Sequence, residues 1–407
     1  MLNYLKNCFN PLVKLNDNLS LNDIFKPIYS VLTFLGLFPY SVKFNLNKQK
    51  YTVISKSIYV NSIYGVSVVL TVCLFLVLHF KEVFLTSELS SITEVLLNQI
   101  NYILELTTLI IFITVTYVNA FLNRNKYVKI LITIISTWKN LSKNNDSVSV
   151  LKSLYFKVNV LVKGCLFVVV VMQICLNFLQ GDRVWRMILM FISYNFPQTI
   201  QFIMIIFYYV VIMMLVTLLA NIEKHITQLQ INRANEDKSF VQMKTITPVR
   251  EMELFYSNAF EAKTNINLVF QYPLLVCIFQ CFCGLVNKAL IMYRGLIVER
   301  CISFHDIFNC SFWIVLHLFK IYLLASSGHA LKIEVLKIGQ TLHNIPTEGQ
   351  NARWFMEVQH FSSAISYKNI EMTFFGCISL DATLMYNMLC TASIYLIILI
   401  QIDKRGE

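Results

Sequence analysis

Apolar residues run through this chain in long, nearly unbroken stretches, not in the alternating or one-faced patterns of soluble strands and helices. Crossing about 30 Å of hydrocarbon takes roughly 20 mainly apolar helical residues. Seven stretches qualify: 58–80, 96–122, 160–179, 187–219, 268–293, 307–325 and 378–402. The fourth holds 33 residues. Two antiparallel spans need about 40 residues and a turn, so the pattern predicts one long helix kinked near Pro197. Residues 25–40 are also apolar, but Pro27, Gly36 and Pro39 interrupt them. They are expected to form an interfacial or tucked-in helix. The first 45 residues hold no apolar core followed by a small-residue cleavage site, so the first span is expected to serve as its own insertion signal.

Orientation follows from lysine and arginine, because basic connections stay in the cytosol. Of the 34 such residues, seven precede the first span; the second, fourth and sixth connections hold seven, six and four. The first, third and fifth connections and the tail hold only one, two, two and two. Lys163, Lys288 and Lys320 fall inside spans. The asymmetry predicts an all-α, polytopic membrane protein with seven transmembrane helices and inverted topology: N-terminus inside, C-terminus outside. Residues 1–57 form a cytosolic N-terminal segment, 58–325 spans 1 to 6, 326–377 a cytosolic helical region, 378–402 span 7 and 403–407 an outer tail.

The inner connections carry their own helical pattern. Tyr127, Ile130, Leu131, Ile134, Trp138 and Leu141 recur at helical spacing, as do Leu331, Val335, Ile338 and Leu342, followed by Trp354, Val358 and Phe361. Helices 2, 4, 5 and 6 are therefore expected to project beyond the membrane and pack together there. An intramolecular bundle and an assembly domain between subunits both fit this pattern.

Composition agrees with the pattern. The 407 residues are 56% hydrophobic and only 14% charged, against about a quarter charged in soluble proteins. A net charge of +11 spread over the loops of so apolar a chain reflects topology and excludes nucleic-acid binding. Catalytic motifs such as HExxH, GxSxG or a phosphate-binding loop are absent. The seven histidines and eleven cysteines show no metal-ligand spacing, so no enzyme, metal or cofactor is expected. Cys301 and Cys310 are candidates for an outer pairing.

Span 7 differs from the others. Thr383, Asn387, Thr391, Ile394, Ile398 and Gln401 share one helix face. Polar groups at membrane depth face protein or water. The stripe therefore reads either as the lining of a wet path, closed by an apolar ring that gates by dewetting, or as a packing interface bonded to neighbouring helices. Ionisable groups inside spans, Glu105 and Lys288, are expected to pair or be wet.

The same region carries a resemblance. Phe374-Phe375-Gly376-Cys377, Ile378-Ser379-Leu380-Asp381, and Ile394-Tyr395 followed by five apolar residues and Gln401-Ile402 resemble the C-terminus of insect gustatory receptors. That family's signature has Thr where this chain has Ile394 and Phe where it has Ile402. The resemblance implies a ligand-gated, non-selective cation channel of the plasma membrane of taste neurons, a homotetramer or heterotetramer with its last helices around a central pore. It places Gln401 in the outer pore and Ile402 at the constriction, with Ile398, Ile394, Thr391 and Asn387 along the lining; Tyr395, Asp381 and Gly376 are motif or packing residues. It implies a tastant pocket in the outer half of spans 2 to 6. The candidates are Tyr102 and Glu105, Gln173 and Asn177, Tyr194 and Gln198, Asn287 and Lys288, and Trp313 and His317. Partners are a small tastant, permeating cations and the bilayer; a bitter plant compound is preferred to a sugar. An odorant receptor of the same superfamily and a secondary transporter are the alternatives; no internal repeat supports the latter.

The charge count makes a direct prediction. An epitope placed after Glu407 should be reached by antibody in intact cells, and the sequons at Asn18, Asn140 and Asn145 should carry no glycan. Staining only after permeabilisation would reverse the orientation.

Overall fold

A computed structural model describes residues 20–38, 40–44, 51–55, 58–86, 92–141, 146–179, 184–235, 248–298, 302–345, 352–368 and 370–406. Among them, seven helices are long and apolar enough to cross a membrane. Helix α1 (Leu21–Phe34) and a hairpin of β1 (Tyr40–Phe44) and β2 (Tyr51–Ser55) precede α2 (Ile58–Thr86), which is span 1. Span 2 is α3 (Ile92–Leu122), followed by α4 (Arg124–Leu141). Span 3 is α5 (Asp146–Asn159), a π-helical turn (Val160–Cys165) and α6 (Leu166–Leu179). Span 4 is α7 (Val184–Met190), a second π-turn (Phe191–Asn195) and α8 (Phe196–Asn235). Spans 5 and 6 are α9 (Pro248–Tyr293), extended by a third π-turn (Arg294–Val298), and α10 (Phe304–His343). Then come α11 (Ala352–Tyr367), a short hairpin of β3 (Thr373–Phe374) and β4 (Ile378–Ser379), and α12 (Ala382–Gly406), which is span 7. Below, "outer" and "inner" name the helix ends as the charge count assigns them.

Span 4 is the axis of the bundle. Of its most apolar window, 83% is buried, against 17% for span 7. Phe207 on α8 sits in a nest of rings: Phe25 and Phe38 at 6.0 and 6.3 Å, Tyr127 at 5.5 Å and Phe270 at 5.1 Å between centroids. Phe25 and Phe38 come from the N-terminal segment, so α1 is tucked against the bundle core. Every apolar position read from α4 is buried, as are Leu331, Ile338, Leu342, Trp354, Val358 and Phe361.

Three expectations change in detail. Span 2 does not project as one helix: it ends at Leu122 and restarts as α4 after Asn123, whose side-chain amide bonds back to Asn119 Oδ1 at 2.7 Å. The projecting helix that the sequence pattern overlooked is α5, continuous with span 3 through a π-turn. Span 7 begins at Ala382 and not at residue 378, because Ile378 and Ser379 pair with Phe374 and Thr373 in the hairpin. Cys310 is a buried free thiol, while Cys301 lies outside the described residues.

Pro273 inside α9 illustrates how the bundle handles a broken helical bond. Proline has no N–H to offer the carbonyl four residues earlier, which is that of Val269. Asn119 of span 2 supplies the missing donor, its Nδ2 lying 2.7 Å from that carbonyl oxygen. Asn119→Ala should therefore cost about 1–3 kcal/mol, the cost of an unmet buried acceptor. Thermal melting of the purified protein measures this, and adding Pro273→Ala should recover part of the loss.

Candidate ligand cavity and the last helix

Pro197 also shapes the site. It leaves Ser193 without its usual amide donor and crowds the preceding turn. The chain relaxes into the π-turn Phe191–Asn195, a widened turn that recurs at functional sites. Ser193, Tyr194 and Asn195 are all buried there. A regular helix turns consecutive residues about 100° apart, so this wider turn brings more polar side chains inward than helical periodicity predicts.

At the outer end of the bundle, Glu105 is fully buried and gathers groups from two other spans. Its Oε1 accepts from the Tyr194 hydroxyl at 2.6 Å and its Oε2 from the Asn287 side-chain amide at 2.5 Å. The Lys288 ammonium lies 3.6 Å from Oε2 and 5.0 Å from the Tyr194 ring centroid, within cation–π range. Tyr194 meets Trp313 edge-on at 4.9 Å. A cavity of about 40 Å³ opens above this cluster.

Six of the ten sequence-derived candidates line it: Tyr102, Gln173, Asn177, Tyr194, Lys288 and Trp313. Glu105 and Asn287 lie beneath, as the framework that holds Tyr194 and Lys288. Gln198 and His317 do not reach the cavity; each sits one turn farther along its helix. Gln198 Oε1 instead accepts from the buried Lys320 ammonium at 2.5 Å, with Gln201 Oε1 as the second acceptor at 2.6 Å. The His317 ring fills the space left by Gly284, where a Cβ would fall 2.5 Å from Nε2.

Sequence reasoning missed Leu176, Met190, Asn195 and Asn309 in the cavity wall. It also missed His79, whose Nε2 lies 2.8 Å from the Tyr102 hydroxyl. Leu176 and Met190 carry no polar signal, and the π-turn that admits Asn195 has no sequence mark beyond the proline after it.

The second feature is α12. Leu384, Met388 and Leu399 face the protein, the last clustering with Val286 and Leu290 of span 5. The opposite stripe is bare. Thr383, Asn387, Thr391 and Gln401 are exposed, and Ile394, Ile398 and Ile402 are 61, 45 and 54% exposed. Thr391 Oγ1 turns back onto the Asn387 carbonyl at 2.7 Å, not onto a neighbouring helix. Tyr395 lies against the Phe282 ring at 5.9 Å. At the helix start, Asp381 Oδ1 accepts the Thr383 amide at 2.9 Å and also its hydroxyl, a side-chain N-cap. The bond from the Thr383 hydroxyl, with that from its amide, holds the Asp381 carboxyl below the usual range.

A family profile described as "7tm Chemosensory receptor" matches residues 25–405, nearly the whole chain. The chain belongs to the seven-transmembrane chemosensory receptor family of insects. This is a family of receptors and not of enzymes. The fold agrees. The olfactory receptor OR5 from Machilis hrabei in complex with eugenol superposes with a TM-score of 0.68 at 13% identity, covering 94% of this chain and 98% of that one. The same receptor described without eugenol gives 0.63 at 11% identity, with the same coverage. No curated protein sequence matches. The chemosensory receptor described here is thus a multi-pass membrane protein.

Removing Glu105 strips Tyr194 and Lys288 of their partner while both stay buried or nearly so. Glu105→Ala should cost about 3–5 kcal/mol, as breaking one side of a buried pair does. Glu105→Gln, which keeps an oxygen acceptor for Tyr194, should cost less. Melting temperatures of the two variants in detergent test the order.

Proposed function

We propose that this receptor is a gustatory receptor: a tastant-gated, non-selective cation channel of the taste-neuron plasma membrane, assembled as a homotetramer or heterotetramer. The observation that carries the reading is the bare stripe of α12. A helix with only 17% of its apolar window buried, and with Asn387, Thr391 and Gln401 on its exposed side, needs neighbours and water in a bilayer. A ring of such helices meets both needs, with Gln401 in the outer pore and Ile402 as an apolar gate. The inverted orientation, read from the charge count, places that gate at the outer surface.

Tastant enters the cavity among Tyr102, Gln173, Asn177, Tyr194, Lys288 and Trp313. At about 40 Å³ it holds water and little more, whereas small-molecule sites begin near about 300 Å³. Binding therefore requires the walls to part, and the compound that holds them apart shifts the closed–open equilibrium. Three aromatic rings in the wall, and a carboxylate already engaged by the protein, favour a largely apolar, uncharged bitter plant compound over a sugar. An odorant is the second reading, favoured by the fold shared with an olfactory receptor described in complex with eugenol.

Expression alone in a cell line, tested by calcium imaging with caffeine, denatonium, fructose and eugenol, distinguishes these readings. Ile402→Ala should leak without any compound, and Gln401→Ala should change the ratio of sodium to calcium permeation. Unaltered currents in both variants would remove span 7 from the pore. Uptake of the compound itself, without current, would favour a transporter.

A further inference from the structure

Span 6 and the start of span 7 meet at a point where only glycine fits. A Cβ on Gly328 would lie 1.6 Å from the Leu380 carbonyl oxygen and 2.7 Å from its carbon. Leu380 is buried and immediately precedes Asp381, the N-cap of α12. One turn farther along α10, Lys332 pairs with Glu371 at 3.0 Å, across the strands from Leu380. The segment between these two anchors is itself stiff. The Leu380 amide donates to the Met372 carbonyl at 2.9 Å, and the hairpin reverses through Phe375 and Gly376 at φ 52° and 69°. Ile370, Met372 and Phe374 are buried beneath it.

The same helix carries the cavity wall. From Trp313 to Gly328, α10 runs 15 residues with no proline or π-turn, a rise of about 22 Å at 1.5 Å per residue. Span 5, by contrast, holds Pro273 and ends in a π-turn, and span 4 is broken at its outer end by one. Span 6 is thus the one unbroken rod among these three that touches both the cavity and the root of span 7.

We propose that the Gly328 notch and the Lys332–Glu371 pair clasp the root of span 7 to span 6, so that the two move as one body when the channel gates. Gly328 is then a positioning residue for gating, with no contact to the compound bound. This rests on the channel reading above. A displacement of Trp313 by a bound compound is delivered along α10 to Leu380 and Asp381, and from there to the gate, with no slippage at the joint.

The test has two arms, both using caffeine or whichever panel member gives the largest current. Gly328→Ala, compared at equal surface amount, should lower the maximal current at least tenfold while half-saturation of binding shifts less than threefold. A variant with wild-type maximal current would overturn the proposal. In a Cys377→Ser background, Lys332→Cys and Glu371→Cys are joined by a short bis-methanethiosulfonate. The bridged channel should keep its maximal current and half-maximal concentration within twofold, and the bridging rate should not change on adding the compound. A bridge that silences the channel or locks it open would show that the elements part during gating, and would overturn the clasp even if Gly328→Ala fails to reach the surface. A wild type without evoked current counts against the channel reading, while the bridging rate with and without compound still judges the joint.

Discussion

A polar group buried among membrane helices must be answered by another polar group, because no water is at hand to do so. Much of this receptor is arranged around that requirement. Glu105 of span 2 draws Tyr194 of span 4 and Asn287 and Lys288 of span 5 to one point, and the cavity exists above the place where they converge. Asn119 repairs the carbonyl that Pro273 leaves open. Gln198 and Gln201 turn their oxygens to Lys320, a fully buried ammonium. Each of these contacts joins different helices, so each fixes the rotation of the spans it connects.

The burial of the spans is uneven. Span 4 lies in the middle of the helical bundle and is nearly all core. Span 7 leans on spans 5 and 6 with Leu384, Met388 and Leu399 and leaves its other side open. The bundle is therefore stable around an axis that does not include the proposed pore helix. A helix held by one face and a clasped root is free to tilt in a way that span 4 is not, which suits the part assigned to a gate.

On the proposed reading, the cavity and the root of the gating helix lie at opposite ends of the bundle, although the gate itself is at the outer end. The cavity sits at the outer end of spans 2 to 6, and α12 starts at the inner end, next to Gly328. Coupling between sites needs an element with two positions that both sites bias. Among spans 4, 5 and 6, only span 6 is free of proline and π-turns between those sites, and it is the natural carrier.

What the sequence alone determined was the number of spans, the fold class and the buried faces of α4, α10 and α11, because lipid-length apolar runs and 3.6-residue periodicity are local properties. The stripe on span 7 and the family resemblance at its end were legible for the same reason. Six cavity residues were found by reading polar and aromatic positions near the outer ends of the helices. Tertiary structure alone decided the rest. Whether Gln198 faces the cavity or Lys320 depends on helix rotation, and the entry of Asn195 into the wall depends on a π-turn that periodicity does not register. The start of span 7 at Ala382 depends on a two-residue strand pairing, and the notch at Gly328 on a carbonyl 52 positions later in the chain. Those are contacts between distant segments, and a one-dimensional pattern carries no record of which distant segment comes to lie against which.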